Sequence, residues 1–316
     1  MELPLTDAVR AKQESVVQNH AAAERFDTKL GWRPFAWTAL FTVNAILLGI
    51  TLSAFLLADI GADWTAVYSE LGPRLPAGTL YDWPDSIFAY RYSPVLAYGF
   101  AALSPMGTAA WLALHFALLP LLGWRLGLIT LGSFPFWSDV YNGNVMIFVF
   151  VVAVFAVRGH RWAQLTFLTL SLLIPRPLML PIAAWLLWRH RELWRPFAGI
   201  FVVHAALVLA TGYGDEWIAQ LLARGADDIG GHMDFGPSLV LGAWWAPIGL
   251  VLAAWLTWKG RLGLASIAAS PYWLPPYLLM GLLELRTGPS PSQKTEPRAG
   301  QEVRDVPRRV RGERRE

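Results

Sequence analysis

The sequence predicts an all-α polytopic membrane protein, and three features support that fold class. Hydrophobic residues make up 55% of the 316 residues. Charged residues make up only 16%, whereas an average soluble domain has about 25%. The chain also contains 17 tryptophans. Tryptophan is enriched where a membrane meets water, because its ring is apolar and its N–H stays hydrated.

The first uncharged apolar run, Pro34–Leu57, is long enough to cross about 30 Å of hydrocarbon, and we interpret it as a retained first membrane helix. Lys29 and Arg33 precede this run, so its N-terminal end is expected in the cytoplasm. Residues 1–33 are then a cytoplasmic N-terminal arm. The polar and aromatic loop that follows, residues 58–92, is expected on the outer face.

Further apolar runs continue to residue 285, and several are too short for an untilted span, which needs about 20 residues. Together with the first run they predict about nine or ten membrane segments. Proline-rich breaks separate the short runs, and such breaks are tolerated at membrane depth where they line a wet cavity. The further runs are Ser93–Ser104, Gly107–Trp124, Leu126–Trp137, Asn144–Val157, Trp162–Ile174, Leu178–Trp188, Phe197–Thr211, Ser238–Trp258 and Leu262–Leu285.

Basic turns set the expected orientation of these segments. The turns at residues 158–161, 189–195 and 259–261 are rich in arginine or lysine, so they are expected in the cytoplasm. The acidic loop 212–237 then lies outside, and by the same parity the proline breaks open toward an outer-face cavity. Residues 286–316 are rich in Pro, Arg and Glu, and they predict a disordered cytoplasmic tail that contacts anionic membrane lipids.

Several classes of chemistry have no support in the sequence. The chain has no cysteine, so disulfides, thiolate metal ligands and cysteine nucleophiles are excluded. It contains no H-E-x-x-H motif, no phosphate-binding P-loop and no G-x-G-x-x-G motif. We therefore expect no metal, no nucleotide cofactor and no nucleic-acid partner.

Asp63 is the first candidate site residue. It follows the first apolar run in the stretch D-W-T-A-V-Y, which predicts a short amphipathic helix lying on the membrane. A carboxylate at the mouth of a membrane cavity can act as a general base for a sugar hydroxyl. The alternative is a solvated acid that caps this helix through the N–H groups of Thr65 and Ala66.

Two arginines are candidates for binding a phosphate. Arg176 stands between Pro175 and Pro177, with an apolar run on either side. An arginine at membrane depth costs about 2.5 to 3.5 kcal/mol on insertion scales and usually has a partner, and a guanidinium matches a phosphate well. The alternative is an arginine that extends to the membrane interface. Arg91 is a similar candidate at the start of the second run.

Polar and aromatic residues near these candidates predict a substrate pocket. Asn142 and Asn144 flank Gly143 in Y-N-G-N, where an amide either caps the next helix or binds sugar or phosphate. The first outer loop offers tyrosines that either stack on a sugar or form an interfacial belt. Those assigned to substrate are Tyr68, Tyr81 and Tyr92. The histidines within apolar runs, His115 and His204, are expected to be structural.

The order of short motifs along residues 34–285 resembles glycosyltransferase family 87, a group of polyprenyl-phosphate-sugar-dependent enzymes with the GT-C membrane fold. The shared pattern starts with an acid and V-Y after the first span. It continues, in chain order, with G-T-L-Y, Y-R-Y-S-P, N-G-N, I-P-R-P-L-M-L-P and S-P-Y-W-L-P-P-Y.

This resemblance implies the transfer of a hexose, typically mannose, from a polyprenyl phosphate carrier to a lipid or glycan acceptor at the outer face of the bacterial plasma membrane. It assigns Asp63 as the catalytic base and Arg176 as the ligand of the carrier phosphate. It places Gly143 and Asn144 near the pocket.

The chain departs from the family in several respects. Arg176 replaces the usual lysine, and the last S-P motif continues with Pro275, Pro276 and Tyr277 where some members have a histidine. The chain is also short for the family. The spacing from Asp63 to Tyr68 is one residue longer than expected. This longer spacing leaves Asp59 as an alternative base.

The mechanism expected from one well-placed acid is a single displacement with inversion at the anomeric carbon, because a retaining enzyme needs a second carboxylate. The main alternative function is a transporter or flippase of lipids or small molecules. Many such proteins contain two matching halves, and no internal repeat is visible in this sequence. A non-catalytic membrane assembly factor is a third hypothesis.

Overall fold

A computed structural model describes residues 33–56, 60–83, 90–222 and 235–285. Every regular element in these ranges is a helix, so the predicted all-α class is confirmed for them. The expected N-terminal arm up to residue 32, the tail 286–316, the alternative base Asp59 and the middle of the second outer loop lie outside the described residues.

The α-helices are numbered here in chain order. They are α1 Arg33–Ala54, α2 Leu71–Ala77, α3 Pro94–Leu103, α4 Thr108–Ala117, α5 Trp124–Leu131, α6 Phe134–Asn142, α7 Met146–Val157, α8 Arg161–Leu173, α9 Leu180–Arg189, α10 Trp194–Thr211, α11 Gly214–Leu222, α12 Ser238–Leu241, α13 Trp245–Trp258 and α14 Leu262–Ala269. A π-helical turn, Trp64–Tyr68, precedes α2. Short 3₁₀ segments cover Leu119–Leu122, Pro177–Met179, Arg191–Leu193, Gly242–Trp244 and Pro275–Leu285.

Two helical segments, Arg191–Thr211 and Ser238–Trp258, are long and apolar enough to cross a membrane. A third candidate exists if Pro94–Leu103 and Thr108–Leu122, which meet at a bend of 106°, form one broken span. The described residues thus contain two to three candidate membrane-spanning helices. The larger number of segments expected from the apolar runs stays a prediction, because most of those runs form helices shorter than the roughly 20 residues that a straight span needs.

Large apolar side chains cover the outer surface of the candidate spans. Val202 and Leu209 on α10 and Val251 on α13 are all more than half exposed. The same is true of Phe41 on α1. Contiguous apolar surface of this kind is rare on soluble proteins and suits contact with lipid.

The core is built around α7, which is apolar on every side, as expected of a helix that is buried all around. Its residues Ile147, Phe150 and Val154 are fully buried. The helix packs against α8 and against the last 3₁₀ segment, Pro275–Leu285. The N-terminal end of α7 directly follows the Y-N-G-N turn. The buried central helix therefore carries one of the predicted site motifs at its N-terminal end.

Candidate functional site

Asp63 precedes the π-helical turn Trp64–Tyr68, an element that is rare in proteins and frequent at functional sites. Trp64 stacks on Trp111 of α4 with ring centroids 4.5 Å apart, and Tyr68 stacks on Phe100 of α3 at 4.3 Å. Both Trp64 and Tyr68 are at most 2% exposed. One face of the turn, Trp64, Val67 and Tyr68, is thus packed inside the protein, while Thr65 is exposed. The expected position on a membrane surface stays a prediction.

The carboxylate of Asp63 is held by Asn144, whose Nδ2 donates a hydrogen bond to Asp63 Oδ2 at 2.6 Å. Asp63 makes no side-chain capping bond to the turn that follows it. The capping alternative is therefore not seen. The side chain is half-buried, so it keeps a path to a bound molecule.

A close approach of two glycines brings these residues together. Gly61 and Gly143 have φ angles of +83° and +69°, which side-chain-bearing residues rarely adopt. The Gly61 N–H donates to the carbonyl of Tyr141 at 2.7 Å. A Cβ atom on Gly143 would lie 2.9 Å from the Cα of Gly61. Only glycine at residue 143 permits the Asp63 loop to lie this close to the Y-N-G-N turn.

Arg176 follows the break at the end of α8. Its backbone is extended, with φ −103° and ψ 135°, because each of its two proline neighbours interrupts the helix. Its Nη2 donates to the Tyr92 hydroxyl at 2.9 Å. The guanidinium carbon lies 5.1 Å from the ring centroids of both Tyr92 and Tyr277, a distance at which a cation and a ring attract each other. Arg176 is therefore held inside the protein and does not extend to an interface.

The tyrosine hydroxyls connect Arg176 to the turn that follows Asp63. The Tyr92 and Tyr68 hydroxyls lie 3.2 Å apart, and both side chains are buried. Since the Tyr92 oxygen accepts a hydrogen bond from Arg176, its own proton is available to Tyr68. Burial, followed by the nearby Tyr92 and Asp63, raises the pKa of Tyr68 well above its ordinary value, so its hydroxyl stays neutral.

The surroundings of Asp63 change the pKa of its carboxyl group. Burial raises the pKa of Asp63 to about 6, while the positive charge of Arg176 and the hydrogen bond from Asn144 act in the opposite direction. A carboxylate with this pKa is ionised at neutral pH and is more basic than an ordinary aspartate. General bases are most effective when their pKa lies near the working pH. We name the group of Asp63, Tyr68, Tyr92, Asn144, Arg176 and Tyr277 the Asp63–Arg176 cluster.

Two of the predicted site residues, Asn142 and Tyr81, are placed differently from the expectation. Asn142 is the last residue of α6, and its Nδ2 donates to the Ser138 carbonyl at 2.7 Å. It neither caps α7 nor reaches Asp63, because its amide is used within its own helix. The Tyr81 hydroxyl donates to the Tyr92 carbonyl at 2.8 Å, which supports the Tyr92 backbone and offers no ring face to a sugar. Arg91 is half-buried, and its role stays a prediction.

Sequence reasoning missed Asp139, which is fully buried. Its two carboxylate oxygens accept hydrogen bonds from the N–H groups of Met146 at 3.2 Å and Ile147 at 2.9 Å. Asp139 thus serves the first turn of α7, the capping role we expected of Asn142 or Asn144. The available signal was an acid within an otherwise uncharged stretch, since an acid near a helix N-terminus is favourable.

Two residues of α4 hold the Y-N-G-N turn from the other side. Trp111 Nε1 donates to the Gly143 carbonyl at 2.8 Å, and His115 Nε2 lies 2.8 Å from the Asn144 carbonyl oxygen. The other predicted structural histidine, His204, lies 2.8 Å from the Ser93 hydroxyl through its Nε2. Both histidines are therefore buried hydrogen-bonding residues, as the sequence predicts.

Tyr277 is the remaining residue that sequence reasoning missed. It lies in S-P-Y-W-L-P-P-Y, where only the prolines were interpreted. Its side chain is 2% exposed, and its hydroxyl has no hydrogen-bond partner among the residues that the structure describes. A buried polar group without a partner is costly, and a bound ligand is one way to satisfy it. Its ring already covers Arg176, which places this tyrosine in the same cluster.

Nothing in the described part of the chain is arranged like a metal site, since no three His, Asp or Glu side chains there come together as ligands. The cluster instead combines one carboxylate, one guanidinium and neutral hydroxyl and amide groups. Such a set can accept a proton and can neutralise an anion. No protein-family model, no curated protein and no solved structure matches this chain.

Proposed function

We propose that the chain is a membrane glycosyltransferase of the GT-C type with about nine or ten membrane segments. It transfers a hexose, with mannose as the expected sugar, from a polyprenyl phosphate carrier to a lipid- or polysaccharide-linked acceptor. The reaction takes place at the outer face of the bacterial plasma membrane. The observation that carries this proposal is one cluster that holds a half-buried carboxylate and a guanidinium. Asp63 accepts a hydrogen bond from Asn144, and Arg176 donates to Tyr92, whose hydroxyl meets that of Tyr68 in the turn after Asp63.

Asp63 is the general base of the proposed reaction. Asn144 engages Oδ2, and Oδ1 accepts no hydrogen bond from any residue that the structure describes. This second oxygen faces the acceptor. As the acceptor hydroxyl oxygen forms its bond to the anomeric carbon, its proton passes to Asp63. The bond between the anomeric carbon and the phosphate oxygen breaks in the same step, and the electron pair leaves with the phosphate.

Arg176 binds the phosphate of the carrier. Among the residues that the structure describes, Arg176 donates through Nη2 to Tyr92. A guanidinium has five N–H donors, so others remain for phosphate oxygens. The unpartnered Tyr277 hydroxyl supplies a further donor from the ring that covers Arg176. A positive charge at this position stabilises the phosphate as negative charge develops on it.

One carboxylate is sufficient for this chemistry. The phosphate is a good leaving group and needs no acid partner. The other carboxylate near the cluster, Asp139, is fully buried and uses both oxygens on the N–H groups of α7. It is therefore unsuited to the nucleophile's role in a double displacement. The expected outcome is inversion at the anomeric carbon.

Arg176→Ala tests the phosphate site. Losing a charged hydrogen bond costs about 1.5 to 3 kcal/mol, so we expect the Kd for a polyprenyl phosphate sugar to rise about 10- to 100-fold. Acceptor binding should change little. The measurement is donor binding to the purified protein in lipid nanodiscs. Arg125 is the matched control, because its guanidinium also lies on an aromatic ring, that of Trp124 at 5.0 Å, but on the exposed surface.

Equal donor affinity in Arg176→Ala and the wild type would remove Arg176 from the phosphate site. A similar loss in Arg125→Ala would show that the effect reflects general charge and not a specific site. Tyr277→Phe removes only the unpartnered hydroxyl, and we expect it to weaken donor binding to a smaller extent than Arg176→Ala.

The pH dependence of turnover tests the assignment of Asp63. Because Asp63 acts as a base in its ionised form and has a pKa of about 6, turnover should rise with pH through about 6 and then level off. Asn144→Ala removes a hydrogen bond that lowers this pKa, so the midpoint should move to higher pH. Asn142→Ala, two residues away and outside the cluster, should leave the midpoint unchanged. A midpoint near 4 in the wild type would contradict the role of a tuned base.

A further inference from the structure

His115 lies outside the Asp63–Arg176 cluster, yet it contacts the cluster at one point. Its side chain is fully buried in α4. Its ring is edge-on to Trp111 at 5.6 Å and to Phe148 at 5.4 Å, so its orientation is fixed from two sides. Nε2 lies 2.8 Å from the Asn144 carbonyl oxygen. Nδ1 lies 3.1 Å from another carbonyl oxygen, that of Trp111. A neutral imidazole has a single N–H, and we assign it to Nε2 because the contact with Asn144 is the shorter of the two.

Each polar atom of Asn144 has at least one hydrogen-bond partner. Its backbone N–H donates to the Asp139 carbonyl at 3.0 Å, and its Oδ1 accepts from the Val145 N–H at 2.7 Å. Its carbonyl accepts from His115. The Nδ2 group is thereby directed at Asp63. The contacts of this one residue therefore determine where the amide points.

We propose that His115 is a positioning residue for the base of the transfer reaction. It holds the Asn144 carbonyl, and through it the Asn144 amide that donates to Asp63. This inference rests on the proposed function of Asp63. It assigns to His115 a task that packing alone does not require, since a ring without a donor fills the same space between Trp111 and Phe148.

Other titratable groups lie near this chain of contacts. Asp139 Oδ2 lies 3.7 Å from His115 Nε2, and Asp139 and Asp63 interact through charge. Arg176 and Tyr68 touch neither His115 nor Asn144 in the contacts described above. A change in the titration of Asp63 in a His115 variant is therefore assigned to the Asn144 amide only if Asn144→Ala abolishes it.

The test uses His115→Phe, which keeps a ring and removes the donor, and His115→Gln, whose amide nitrogen restores a donor toward Asn144. We expect His115→Phe to lower kcat about five- to tenfold, the usual size of one lost hydrogen bond, with little change in the donor KM. The midpoint of the acid limb should move to higher pH, as in Asn144→Ala. The double variant His115→Phe/Asn144→Ala should have the same midpoint as Asn144→Ala alone. His115→Gln should keep the wild-type midpoint.

A second readout does not depend on turnover. The Asp63 carboxyl can be titrated by carbon-13 NMR of aspartate-labelled protein, with its signal identified by its loss in Asp63→Asn. If the Asp63 titration shifts in His115→Phe, the positioning role is supported even when the wild type shows no turnover. The absence of turnover in the wild type would, in that case, contradict the proposed transferase. Turnover in the wild type with an unmoved midpoint in a folded His115→Phe protein would overturn the positioning role. If His115→Phe does not fold, His115→Leu gives the same two readings.

Discussion

Asp63→Asn should lower turnover by two or more orders of magnitude, the usual scale for the loss of a general base. The substitution keeps the size and shape of the side chain but removes its ability to take the proton of the acceptor hydroxyl. Arg176 and Tyr277, which bind the phosphate in this account, are unchanged, so donor affinity should survive. The measurements are carrier phosphate release at saturating donor and donor binding in nanodiscs.

The matched control is Asp82→Asn. Asp82 belongs to the same loop and is exposed. Its hydrogen bonds to described residues involve its backbone, whose carbonyl accepts from Arg74 and whose N–H donates to the Thr79 carbonyl. This variant should turn over at the wild-type rate. A transporter or an assembly factor would be nearly indifferent to both substitutions. An active Asp63→Ala protein together with an inactive Asp59→Ala protein would move the base to Asp59.

Among the substitutions described here, Gly143→Ala should cause the largest decrease in the free energy of unfolding. The φ of +69° costs a side-chain-bearing residue about 1 to 2 kcal/mol. The added Cβ would also lie 2.9 Å from Gly61 Cα and 3.3 Å from its carbonyl carbon, which are backbone atoms that have little room to shift. Overpacking of this kind typically costs about 1 to 3 kcal/mol more. Because the Asp63 loop must then separate from Asn144, turnover should fall as well.

Gly78→Ala separates the two contributions. Gly78 has nearly the same φ, +72°, but nothing lies within 4 Å of the position its Cβ would take. Thermal unfolding of the two variants should therefore show a clearly larger loss for Gly143→Ala. Equal losses would mean that the approach of the two glycine loops is not what holds the Asp63–Arg176 cluster together.

Local sequence patterns were sufficient to predict the helical class and to single out five of the six residues of the cluster. Asp63, Asn144 and Arg176 each stand out, as an acid after an apolar run, an amide before a helix and an arginine between prolines. Tyr68 and Tyr92 belong to the aromatic outer loop. Tyr277 and the role of Asp139 were missed because they depend on contacts that form only in the folded chain. His115 meets Asn144 only because α4 packs beside the Y-N-G-N turn.

Helix boundaries were harder to predict for the same reason. Leu126–Trp137 was expected to be one segment, but the chain is interrupted at Gly132 and Ser133, and α6 starts with Pro135 in its first turn. Apolar composition continues through the break and conceals it. Asn142 and Asn144 are equally suited to capping by residue type. In the structure the capping role belongs to Asp139, whose oxygens accept from the N–H groups of Met146 and Ile147. This contact depends on the turn between α6 and α7 and is not visible from residue type.

The most direct test of the account follows the sugar itself. The purified full-length protein is placed in proteoliposomes with a polyprenyl phosphate mannose of known anomeric configuration, labelled with carbon-13 at C1, and a bacterial lipid extract as acceptor. We predict release of free polyprenyl phosphate and a mannosylated product whose anomeric configuration, measured by NMR, is opposite to that of the donor, with neither product formed by Asp63→Asn. Retained configuration, or mannose that crosses the bilayer still attached to its carrier, would contradict the account.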